Sequence, residues 1–152
     1  MSDIIIKYKV KGLTEIRAAF KQAPFKLTVE IGKAIGRIIG EIESDAKREA
    51  PVNKRSGGGN LRQSIRSRMT GVASGIVDVG ANYAMFVHGG TRPHIIRIRT
   101  KKVLADKRSG RIFGTVVKHP GTKANPFLQR AIDKNSSFIN RQFADAVGKA
   151  IK

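Results

Sequence analysis

Six apolar residues set between two prolines constrain this chain more than anything else in it. Between Pro24 and Pro51, Leu27, Ile31, Ile35, Ile38, Ile42 and Ala46 recur every three or four positions, and Glu30, Lys33, Arg37, Glu41 and Asp45 fill the polar side. That is the period of an amphipathic α-helix. Proline suits a first turn and cannot continue a helix, so Pro24 opens this one and Pro51 stops it. A helix of this length runs for about 37 Å, and the rest of the chain has to pack along one side of it. Gly32, Gly36 and Gly40 recur on it at every fourth residue. Each weakens a helix by about 1 kcal/mol relative to Ala. Three in register imply close approach of another backbone, in the same chain or in a neighbouring subunit, and make these glycines candidate subunit contacts. The charges around them exclude a membrane-dimer stripe.

The other elements are shorter. Ile4, Ile6, Tyr8 and Val10 alternate with Lys7 and Lys9 as in a half-buried strand, and Leu13, Ile16 and Phe20 have helical spacing. After Pro51 comes a flexible basic loop over 53–60, with Asn60 placed to cap a short turn through Leu61–Ser64. Two strands, 65–69 and 75–79, join near Gly71. A short apolar segment, 83–87, ends at Gly89-Gly90. Residues 94–118 read as a long hairpin: a strand at 94–98, a polar and basic tip at 100–110, and a returning strand at 111–117. His119 to Lys123 is a turn. Pro126 then opens one final helix whose apolar side is Phe127, Leu128, Ala131, Ile132, Phe138, Ile139, Phe143 and Val147. The expected fold class is α+β: a small antiparallel sheet with a long basic hairpin, packed against a long amphipathic helix plus a C-terminal helix. The length of 152 residues fits a single domain, with 53–60 and 94–118 as excursions.

Charge narrows the function. The chain has 30 basic and 11 acidic residues, a formal net charge of +19, and residues 51–125 hold +13 of it. The densest run is Arg92 to Arg111. So large an excess of one sign repels itself unless a polyanion or an acidic protein neutralises it, and phosphate is the first candidate. Lys54, Arg55, Arg97, Arg99, Lys101, Lys102, Lys107, Arg108 and Arg111 are the candidate contacts to a partner or to DNA, because they sit on exposed loop and hairpin segments.

Catalytic constellations are not evident. There is no Cys, so disulfides, thiolate metal sites and a Cys nucleophile are excluded. His88, His94 and His119 match no common zinc spacing. His119, before Pro-Gly, reads as a turn residue. Nine of the eleven acids lie outside the basic middle, leaving no carboxylate cluster for a metal-dependent nuclease. Ser56 and Ser64 have no His partner at motif spacing, and the 53–60 loop is not a phosphate-binding P-loop. The expectation is no enzyme, no metal and no cofactor. No apolar run approaches a membrane span, and the N-terminus lacks the features of a signal peptide. Zinc-finger and basic-zipper patterns are missing, and the few aromatics have core-like spacing, so sequence-specific readout and stacking on single strands are not suggested.

Several phrases then occur in a telling order. Ala46-Lys47-Arg48-Glu49-Ala50-Pro51-Val52 is followed by the Gly-rich loop and Asn60-Leu61-Arg62-Gln63-Ser64-Ile65. Tyr83 to Thr91, His119-Pro120-Gly121-Thr122-Lys123 and Asn125-Pro126-Phe127-Leu128 come after. This order, spanning roughly residues 40–135, resembles the small neck and tail-completion (head–tail joining) proteins of long-tailed bacteriophages. The resemblance implies an α+β fold and assembly into a ring, commonly of six, at the junction of capsid connector and tail. DNA crosses the channel of that ring. It implies neither cofactor nor active site. The expectation is therefore a structural virion protein, assembled in the host cytoplasm, whose partners are itself, the connector and tail-terminator proteins and, non-specifically, DNA. The alternative is a non-specific nucleic-acid-binding or packaging accessory protein.

Overall fold

The computed structural model describes residues 25–52, 58–98, 103–105 and 110–151. The strand expected near residue 4 and the helix expected near residue 13 lie outside them. The described chain is α+β and falls into two compact units. One contains 25–84 and 126–151, the other the described part of 85–125.

The first unit is organised by α1 (Phe25–Glu49), the long helix that the apolar spacing predicts. Its buried side is Ile31, Ala34, Ile38, Ile42 and Ala46, and Leu27 and Ile35 are half-buried beside them. Each fully buried Ile stabilises the fold by about 1.5–3 kcal/mol. Two layers cover this stripe. On one side lies an antiparallel ribbon of β1 (Ile65–Gly71) and β2 (Ser74–Val79), with Ile65 opposite Val79 and Ser67 opposite Val77. The backbone N–H and hydroxyl of Ser67 both donate to the Glu43 carboxylate, which also holds Lys47. Gly75 leaves room for the side chains of Ile39 and Ile35.

On the other side pack α4 (Phe127–Lys134) and α5 (Ser136–Ile151), through Phe127, Leu128, Ala131 and Ala146. The sequence predicts one helix there; the structure has two. Asn135 separates them at φ −92° and ψ 5°. Its side chain explains the break. Buried to 6% exposure, it donates to the Ala131 carbonyl at 2.9 Å and to Asp45 Oδ2 at 2.6 Å. Past this joint the apolar face turns. Ala146 is buried, while Val147, expected on the inner side, is exposed.

Asp45 is the polar centre of this unit. Only 2% exposed, it accepts from Asn135, from Lys134 Nζ at 3.2 Å and from the Arg48 guanidinium. Burial alone would raise its pKa; the hydrogen bonds from Arg48, Asn135 and Lys134 overcome that and hold it below its ordinary value. One carboxylate thus ties α1 to α4 and to the joint that leads into α5.

A short helix, α2 (Asn60–Ser64), follows the loop. Asn60 was expected to cap it but lies inside its first turn; Gly59 occupies the capping position and no side chain caps the helix. Arg62 reaches back to the carbonyls of Ala50 at 3.1 Å and Arg48 at 3.3 Å, closing the C-terminal end of α1. Among the described residues, no helix is long and apolar enough to cross a membrane.

In the second unit, α3 (Ala84–Gly89) leads to two short ladders. β3 (His94–Arg97) pairs with β6 (Val116–His119), and β4 (Leu104–Ala105) with β5 (Ile112–Gly114). The expected hairpin is therefore antiparallel in the anticipated sense, but its return strand is interrupted. Gly114 sits at φ +88°, a left-handed conformation that breaks the extended run between β5 and β6.

Candidate functional site

Residues 85–125 carry ten basic side chains against Asp106 alone, +9 of the chain's +19. The unit they form is held at its base by a backbone clasp. Thr91 and Thr122 exchange both N–H···O bonds, at 3.0 and 3.1 Å, and their hydroxyls lie 3.0 Å apart. Gly90 at φ +71° and Gly121 at φ +87° sit on either side of this bridge. A Cβ on Gly121 would overlap the Thr91 carbonyl oxygen, and one on Gly90 would overlap Thr122 and Ala124 backbone. Both positions need glycine for conformation and for space. The Asn125 N–H donates to the Val87 carbonyl at 3.0 Å and completes the closure.

The β3–β6 ladder continues from this clasp. Its register sets His94 opposite His119, Ile95 opposite Lys118, Ile96 opposite Val117 and Arg97 opposite Val116. Alternation along each strand divides these eight residues between two faces. Ile96, Val117 and His119 are half-buried on one; Ile95, Arg97, Val116 and Lys118 are all exposed on the other. The histidines, distant in sequence, meet with ring centroids 5.0 Å apart. His94 Nδ1 donates to the Arg92 carbonyl at 2.9 Å, and His119 Nδ1 accepts from the Gly121 N–H at 3.0 Å. His119 thus serves as a turn residue. Among the described residues no three His, Asp or Glu come together as a metal site.

Of the nine candidate contact residues, the structure describes two. Arg97 lies on the exposed face of β3. Arg111 is exposed just before β5, its guanidinium 5.5 Å from the Phe113 ring, a cation–π contact. Lys54, Arg55, Arg99, Lys101, Lys102, Lys107 and Arg108 lie outside the described residues. Lys118 was not among the candidates, yet it shares a face with Arg97. Only the β3–β6 register, which pairs Ile95 with Lys118 and Arg97 with Val116, puts it there. In the first unit, Arg66 and Arg68 likewise line the outer face of β1, Arg68 within 3.9 Å of Asp78.

The three helix glycines separate. Gly32 abuts the β1–β2 turn of its own chain, where an added Cβ would overlap the Val72 carbonyl oxygen; among the described residues nothing lies within 4 Å of a Cβ built on Gly36 or Gly40. Close approach within the chain therefore accounts for Gly32, and the other two face open space. A shallow depression beside α2 is lined by Ser44, Lys47, Arg48, Arg62 and Gln63. Its cations are engaged, Lys47 with Glu43, Arg48 with Asp45, and Arg62 with backbone carbonyls. No family model, curated protein or solved structure matches the chain.

Proposed function

We propose that this chain is a structural virion protein of a long-tailed bacteriophage, a subunit of the ring that joins head to tail and lets DNA pass. The observation that carries the reading is where the resembling phrases fall. Gly90-Thr91 and His119 to Thr122 interlock as the clasp of the basic unit. Arg62 of the Asn60–Ile65 phrase bonds back to Arg48 and Ala50 of the Ala46–Val52 phrase. Phe127 and Leu128 of the Asn125–Leu128 phrase are buried in the helical core. Their order along the chain thus follows the joints of the fold, as an inherited frame would require.

The same reading gives the basic ribbon its use. One of its faces is exposed to solvent, and a ring of such subunits meets a connector, a tail terminator and the DNA in its channel. The test is genetic. A virus lacking the protein should fill its heads with DNA and build tails, but leave them unjoined in the host cytoplasm, and the wild-type protein supplied separately should restore joining. Normal particles in its absence would contradict the proposal. The +9 of residues 85–125 favours one second reading, a non-specific nucleic-acid-binding or packaging accessory. That reading requires tight DNA binding by the isolated chain, falling log-linearly with salt at about −0.9 per phosphate contacted.

A further inference from the structure

We infer that the exposed face of the β3–β6 ribbon docks on an acidic protein surface, one whose carboxylates alternate with apolar side chains, and that DNA is not its ligand. On this face the register sets Ile95 beside Lys118 and Arg97 beside Val116. The apolar pair and the cationic pair therefore lie on crossing diagonals of one small patch. Ile95 is 55% exposed and Val116 47%. A surface built for phosphate has no use for two β-branched apolar side chains held between its cations. A protein partner does, because the apolar pair supplies the water-free centre and the cations set orientation and partner choice. The face carries no acid, and Asp106 is the only one in residues 85–125. A second copy of the same face would bring Arg97 and Lys118 against their own kind. Charge complementarity selects carboxylates instead. The inference deepens the proposed function, resting on it only in taking the ribbon as an interface.

The test uses the full chain and three probes: poly-glutamate, a longer glutamate–tyrosine copolymer with the same number of carboxylates, and a 20-base-pair DNA duplex. Calorimetry at 150 mM salt should show the copolymer binding about tenfold tighter than poly-glutamate. The double variant Ile95→Thr, Val116→Thr keeps β-branched side chains in the ladder. It should abolish that preference and leave DNA affinity within about twofold. Methyl NMR of the unaltered protein gives a second readout, in which the copolymer should shift Ile95 and Val116 and the duplex should not. Equal binding of the two polymers overturns the inference, as does a duplex that shifts the same methyls. Rings that form without the copolymer preference defeat this inference alone. A copolymer preference with heads and tails still joining in the protein's absence defeats the ring proposal alone.

Discussion

Asp45 shows how much of the fold one side chain can hold. Its carboxylate is buried, and the donors around it come from α1, from α4 and from the joint between α4 and α5. Asp45→Asn keeps the shape but removes the charge that these donors were arranged around. It should lower stability at neutral pH by about 2 kcal/mol. The pH dependence follows from the direction of the shift. The folded-state pKa is depressed, so the stabilisation is complete above the unfolded value of about 4 and is lost as pH falls through the folded one. Urea melts should therefore show a gap between wild type and variant that is widest near pH 7 and closes below about pH 4. Glu43, also depressed despite the cost of burial, through Lys47 and Ser67, adds to the same acid sensitivity.

The glycines of α1 give a paired test at the same scale. Gly32→Ala forces the Val72 backbone to move and should destabilise by about 1–3 kcal/mol. Gly36→Ala meets open space and should stabilise the isolated chain by about 0.5–1 kcal/mol through helix propensity. If Gly36 also receives a neighbouring subunit, Gly36→Leu will fold normally yet fail to assemble; assembly at wild-type levels would remove Gly36 from any interface. Thermal melts and particle counts read the two effects separately.

Among the elements, α1 and the β1–β2 ribbon were legible in the sequence because each displays its period without interruption. Ile31 to Ala46 keep helical spacing, and Ile65 to Met69 and Gly75 to Val79 alternate around a Gly71 turn. The split between α4 and α5 was not legible. Asn135 is an ordinary polar residue until Asp45, 90 positions away, accepts its amide. The His94–His119 pair was hidden for a similar reason, since only the β3–β6 register brings those rings together. The interruption in the return strand rests on one backbone angle, the +88° of Gly114, which a Gly alone does not announce. For the candidate site, charge density singles out a segment of the sequence, but which cations share a face with apolar neighbours depends on register.

This yields a prediction for the ribbon as an element. Deleting residues 101–108 removes the tip together with β4 and its pairing to β5, and spares the residues of the Thr91–Thr122 clasp and of the β3–β6 ladder. Circular dichroism should show an unchanged helical melt, because α1, α4 and α5 belong to the other unit. Particle assembly should fail. Retention of both ring formation and head–tail joining would show that the tip is not an interface.

For the whole molecule, charge is the governing quantity. Six copies at +19 put roughly +114 on a ring, and only counter-charge or screening makes that tolerable. Assembly of the purified chain should therefore be more complete at 300 mM salt than at 50 mM, the opposite of what a DNA-binding protein shows toward DNA. The most direct measurement is negative-stain electron microscopy of the purified protein over a range of concentrations and salt. The account predicts closed rings, commonly of six subunits, with a central hole wide enough for a DNA duplex, and more of them as salt rises. Particles that stay monomeric under every condition, together with DNA binding that is tight at low salt and collapses log-linearly, would contradict it.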